Sequence, residues 1–125
     1  MSIFSEITLG AKIAWGLTAI FMVVVGLLTL TPVPDRVVPV GSDKIYHMVA
    51  FAFLTLPLSI AYPRFVVRLV VLFSAYGFAI EVIQPYVGRA FEFYDFVADA
   101  AGCILASILG CLIAQRTKFL KFRPE

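Results

Sequence analysis

Charge is scarce in this chain. Asp, Glu, Lys and Arg make up 14% of its 125 residues, against ~25% in an ordinary soluble domain. A soluble core cannot take in a chain that is 62% apolar, whereas a bilayer accepts that surface as solvent. Cysteine is limited to Cys103 and Cys111. On one helix their spacing corresponds to roughly 12 Å of rise, too far for a bridge within the chain. Both read as small packing residues that say nothing of redox compartment. No Gly-rich phosphate loop occurs, which leaves nucleotide binding without support. No HExxH or paired-Cys spacing occurs either, so no standard zinc motif is present. Histidine appears once, at His47.

What is present is a set of long apolar runs. Ile13 to Pro34 carries no charge, and Ile45 to Pro63 has only His47, Tyr46 and Tyr62 as ionisable groups. Leu69 to Ile80 is flanked by Arg68 and Glu81, and Ala100 to Gln115 is again uncharged. A helix needs ~20 apolar residues to cross ~30 Å of hydrocarbon. The first two runs meet that directly. The other two meet it if Arg68 snorkels and if Glu81 and Asp99 lie within the span. The expected fold class is therefore all-α: a polytopic membrane protein of four transmembrane helices in an up-down bundle, one domain over 1–125. The helices are expected at about 12–31, 45–62, 65–84 and 95–115. A cleavable signal peptide is the competing reading of the first run. That run exceeds the usual ~7–15 residues, and LTLTPVPD offers no small-residue cleavage site, so a retained helix is expected.

The charges partition by side. Lys12, Arg64, Arg68, Arg116, Lys118, Lys121 and Arg123 fall on one side of such a bundle, and Arg36, Lys44 and Arg89 on the other. Lys/Arg excess marks the cytoplasmic side, which predicts both termini inside and segments 32–44 and 85–94 outside. The acids divide oppositely: Asp35, Asp43, Glu81, Glu92, Asp95 and Asp99 outside, Glu6 and Glu125 inside. The basic tail QRTKFLKFRPE is expected on an anionic inner leaflet. Its four charges are ordinary topogenic signals, so no nucleic-acid partner is expected.

The outer helix ends hold the unusual residues. Asp43 and His47 are four apart, Glu81 and Gln84 three apart, and Asp95 and Asp99 four apart. Each pair shares a helical face. A polar group turned to lipid costs a few kcal/mol on insertion scales, so the three pairs are predicted to converge. Pro85 ends the third helix and Gly88 permits a turn. That puts Arg89 between the acids of helices three and four, where its fork suits a carboxylate, a phosphate or another anionic headgroup. Ser42 or Asp43 is expected to cap helix two, and Asp95 helix four. Ala98, Gly102, Ala106 and Gly110 make a small-residue face, expected to pack within the chain, with a dimer contact through helix four as the alternative.

At these residues the sequence resembles the VanZ-like family of small bacterial membrane proteins. The matching pieces are DKIYHMVAFAFL (Asp43, Lys44, His47, Phe51), IEVIQ (Glu81, Gln84), GRAFEFYD (Arg89, Asp95) and the following Gly102. They span about half the chain, in the family's order. The resemblance implies a helical integral membrane protein, linked in its founding member to teicoplanin resistance. Asp99 departs from the pattern, which has Asn at that place, and makes the cluster more acidic.

Three functional readings follow. In the first, the protein binds or acts on a lipid-linked, anionic cell-envelope component. Arg89 and Lys44 would hold phosphate, with Asp43, Gln84 and Asp99 lining the site, and His47 would transfer protons with Glu81 or Asp95. The partner is then membrane lipid, and the cofactor is left unassigned. In the second, His47, Glu81, Asp95 and Asp99 hold zinc or manganese. In the third, the protein is a non-enzymatic scaffold whose polar cluster only fixes helix packing. A transporter is disfavoured, because no charged group crosses the inner half. Glu92 and Asp35 are expected to be solvated loop charges. Trp15 is expected to anchor helix one at the interface, and the aromatic residues of YPRFVV and AFEFY, Tyr62, Phe65, Phe91, Phe93 and Tyr94, to lie in aromatic belts.

Overall fold

The computed structural model describes residues 8–32 and 42–121, with side chains through Thr117. Among them all regular structure is helical: α1 (Leu9–Leu30), α2 (Ser42–Ala61), α3 (Val66–Ile83) and α4 (Phe93–Lys121). Short 3₁₀ turns at Pro63–Phe65 and Gln84–Val87 bracket α3. Four segments are long and apolar enough to cross a membrane: Leu9–Leu30, Ser42–Ala61, Pro63–Val87 and Phe93–Thr117.

Local chemistry sets the ends. Thr8 caps α1 by accepting from the Ala11 N–H at 3.2 Å, which satisfies one of the first-turn donors. Pro63 opens the turn after α2, where its missing N–H costs nothing. Past α3, Gly88 takes φ 81, a left-handed conformation that favours glycine. The Arg89 N–H then closes on the Gln84 carbonyl at 3.0 Å. Pro57 lies inside α2. The helix carries through it, flanked by hydroxyl back-bonds from Thr55 to the Phe51 carbonyl (2.8 Å) and from Ser59 to the Thr55 carbonyl (2.9 Å). α4 outruns its expected end because no glycine or proline stops it between Gly110 and Pro124.

The tightest pairing is α2 with α4. His47 meets Asp99, Thr55 meets Cys103, and Ser59 meets Ser107, at sequence separations of 52, 48 and 48. So constant an offset means that the two helices run parallel. The small-residue face of α4 makes the approach close. A Cβ on Gly110 would lie 2.5 Å from the Ser59 Cβ, and one on Gly102 would collide with the Met48 carbonyl oxygen. At Gly102 and Gly110 this face is filled by α2 of the same chain, as the intramolecular reading expected. Phe51, Leu54, Leu58, Phe73 and Cys103 form the core. Leu27, Phe53, Val71 and Ile108, one from each helix, point outward.

α1 lies against α2 and α3. Thr18 bonds to the Leu54 carbonyl, and Tyr76 to the Met22 carbonyl at 2.6 Å. At one end of the bundle Trp15 Nε1 donates to the Tyr62 hydroxyl at 3.0 Å, and Cys111 approaches the Pro63 carbonyl. Lys12, Arg64, Arg68 and Arg116 belong to this end. The described acids gather at the other. Glu6, Asp35, Arg36, Arg123 and Glu125 lie outside the described residues.

Candidate functional site

His47 lies in the second turn of α2 and is buried. Its Nδ1 is 2.9 Å from Asp99 Oδ1 and its Nε2 is 3.4 Å from Asp95 Oδ2. Asp95 and Asp99 are one helical turn apart on α4, so the parallel pairing of α2 and α4 slots the imidazole between two carboxylates. One turn earlier on α2, the Lys44 ammonium meets three more oxygens. Asp43 Oδ2 is at 3.2 Å, Glu92 Oε2 at 3.1 Å and Asp95 Oδ1 at 3.2 Å. Asp95 thus joins the two layers.

α3 contributes Glu81, which is 0% exposed. Its Oε2 accepts the Glu92 N–H at 3.1 Å, and its Oε1 has no partner. Asp99 is also 0% exposed, with its Oδ2 unpartnered. That oxygen rests against Gly77, where a Cβ would lie 2.7 Å away. Gly77 is therefore the position on α3 that makes room for the carboxylate.

Gln84 and Arg89 occupy the flank toward α1. Gln84 Nε2 donates to the Thr29 carbonyl at 3.2 Å. One Arg89 Nη donates to the same carbonyl at 2.9 Å and to the Leu28 carbonyl at 3.4 Å. Both side chains thereby satisfy carbonyls that the last turn of α1 leaves free. Among the described residues Arg89 forms no ion pair. Between α1 and α2 lies a cavity of about 360 Å³, with Val25, Leu28 and Phe51 on its apolar walls and Asp43, His47 and Arg89 on its polar side. A larger hollow of about 500 Å³ runs between α1 and α3. It is apolar apart from Gly26, Thr31 and Tyr76, and the Tyr76 hydroxyl is already bonded, so it holds no chemistry.

The predicted convergence therefore splits in two. Asp43, Lys44, His47, Glu81, Asp95 and Asp99 come together, with ligand atoms of His47, Glu81 and Asp99 within 4.8 Å of one another. Gln84 and Arg89 stand beside them and bond to α1. Arg89 does not pair with the acids of α3 and α4, because its loop carries it toward the carboxyl end of α1. Glu92 is an exposed loop charge, as expected, but it also pairs with Lys44 and its N–H anchors Glu81. Asp95 is not an N-cap. It sits in the first turn of α4 with its carboxylate on Lys44 and His47. Trp15 is exposed, as an interface anchor requires, and so are Tyr86 and Tyr94. Gly77 and the Thr29 carbonyl were missed. A lone glycine within an apolar run was the one available signal for the first, and a backbone acceptor leaves none.

Fold and site together define an all-helical protein with four candidate membrane spans and a buried histidine–carboxylate cluster near one end of the bundle. No family model, curated protein or solved structure matches the chain.

Proposed function

We propose that this is a VanZ-like protein of the bacterial inner membrane whose outward-facing pocket binds the anionic headgroup of a lipid-linked cell-envelope component, in a role akin to glycopeptide resistance. In this reading the helices cross the bilayer up and down, with both termini cytoplasmic. The gathering of Lys12, Arg64, Arg68 and Arg116 at one end supports that orientation.

One observation carries the ligand assignment. Arg89 borders the same cavity as His47 and has no carboxylate partner among the described residues, whereas Lys44 is already surrounded by three. A guanidinium tethered through one nitrogen presents its remaining donors as a fork suited to phosphate. Beside it, Val25, Leu28 and Phe51 offer an apolar wall for the first carbons of a lipid tail. Lys44, expected to hold phosphate, instead orders the carboxylates. Both ring nitrogens of His47 face carboxylates, which hold the imidazole in place, so Arg89 rather than His47 meets the headgroup. Binding is accordingly the primary activity, and proton transfer by His47 with Glu81 or Asp95 is secondary to it.

The test is binding of a labelled polyprenyl phosphate to the purified protein in nanodiscs, with the neutral polyprenol as control. Losing hydrogen bonds to a charged group costs ~1.5–3 kcal/mol, so Arg89→Gln is expected to weaken phosphate binding ~10–100-fold. Its melting temperature should fall only slightly, because Gln84 still donates to the Thr29 carbonyl that Arg89 releases. Equal binding by the variant, or by the neutral alcohol, would remove the reading. The scaffold alternative draws on the saturation of Lys44, and it expects Arg89→Gln to move melting and leave no binding to lose.

A further inference from the structure

We propose that His47, Glu81 and Asp99 form a binding site for a divalent transition cation, of zinc or manganese type, inside the bundle. This goes beyond the headgroup reading and does not depend on it.

The end of the bundle holds two carboxylate clusters, and they are balanced differently. Asp43, Glu92 and Asp95 surround the Lys44 ammonium, a cation built into the chain. His47, Glu81 and Asp99 form the second cluster. No lysine or arginine among the described residues makes an ion pair with Glu81 or Asp99. Both carboxylates are fully buried, and each keeps one oxygen, Glu81 Oε1 and Asp99 Oδ2, without a partner. Buried polar atoms rarely go unsatisfied. Asp43 also keeps one such oxygen, but beside the Lys44 charge, whereas Glu81 and Asp99 hold two in one cluster with no lysine or arginine on them, an arrangement suited to a bound cation.

The donor set suits a metal. Each ligand comes from a different helix: His47 from α2, Glu81 from α3, Asp99 from α4. Their ligand atoms lie within 4.8 Å of one another. Carboxylate rotations bring such atoms to the ~3.4 Å spacing that donors take around a tetrahedral zinc ion. The outer contacts are also in place. Glu92 N–H steadies Glu81, and Asp95 and Asp99 stand at opposite ring nitrogens of His47. With Nδ1, the nitrogen beside Asp99, on the metal, Nε2 keeps Asp95 as its acceptor, the usual support of a metal-bound histidine. One imidazole with two carboxylates favours zinc or manganese over calcium and magnesium, which prefer all-oxygen shells. His47 also lines the 360 Å³ cavity, which supplies a route for the ion.

The probes are the metals themselves. The full chain in detergent is stripped with chelator and titrated with ZnCl₂, MnCl₂ or CoCl₂. Calorimetry, melting temperature and the visible absorption of cobalt are the readouts. One equivalent of zinc or manganese is expected to bind at micromolar concentration or tighter and to raise the melting temperature. Bound cobalt should show the absorption of mixed nitrogen and oxygen ligation. Glu81→Gln and Asp99→Asn preserve side-chain shape and are each expected to weaken binding at least 10-fold. If either fails to fold, His47→Gln read by loss of the cobalt spectrum replaces it. No saturable binding by the parent chain overturns the proposal. So does equal affinity in folded Glu81→Gln and Asp99→Asn proteins, because the cluster then balances itself with protons alone.

Discussion

Gly102→Ala is expected to destabilise the bundle by ~1–3 kcal/mol, although alanine is the better helix former by ~1 kcal/mol. The opposition of signs makes the test sharp. The new Cβ would collide with the Met48 carbonyl oxygen and lie 3.0 Å from its carbonyl carbon and 3.2 Å from the Ala52 nitrogen. All three are backbone atoms of α2, which cannot swing aside as a side chain would, so α2 and α4 must separate. Gly102→Val should cost more still. Gly16→Ala on α1 is the control, since a Cβ there meets nothing within 4 Å. Thermal unfolding in detergent, followed by circular dichroism, reads the difference. Separation of the helices would also loosen Asp99, one turn before Gly102, so headgroup and metal binding should weaken in step with stability. Equal melting of the Gly102 and Gly16 variants would mean that α2 and α4 do not pack through this face.

The features legible in the sequence are those that repeat locally. Bilayer thickness sets how long an apolar run must be, so two spans could be read from run length alone and two more once Arg68, Glu81 and Asp99 were admitted at their ends. Helical periodicity put Asp43 with His47 and Asp95 with Asp99 on shared faces, and it marked Gly102 and Gly110 as contact positions. What no local pattern encodes is the register between helices. The offset of about 48–52 residues between α2 and α4 decides that Asp95 and Asp99 clasp His47, and it emerges only when the small-residue face meets its partner. Arg89 was misplaced for a related reason. A loop residue next to a glycine follows the path of the backbone, and this path leads to the end of α1. Glu92 was undervalued because half of its contribution is a main-chain N–H, which any residue type would supply.

His47→Ala is expected to cost ~3–5 kcal/mol, the usual effect of removing one partner from a buried ion pair. The imidazole separates Asp95 from Asp99, whose side chains are 8% and 0% exposed. Without it, Asp99 loses the partner of its Oδ1 while its Oδ2 already has none. Most of the loss should therefore come from the stranded carboxylate rather than from missing ring contacts. Asp99→Asn separates the two contributions, because it removes the charge and keeps the shape. Introduced alone, it breaks the pair from the other side. Combined with His47→Ala, it should restore part of the lost stability, with a coupling energy of ~1–3 kcal/mol in a double-mutant cycle. Val49→Ala, on the exposed side of α2, should stay within ~0.5 kcal/mol of the parent. The cycle remains informative if a metal occupies the cluster, provided that it is run both in chelator and at saturating zinc. In chelator it measures the histidine–carboxylate pair alone, and in zinc it adds the loss of a ligand. If His47→Ala melts with Val49→Ala under both conditions, the imidazole carries no buried charge pairing. The polar end of the bundle would then be wetter and more open than these side-chain positions require.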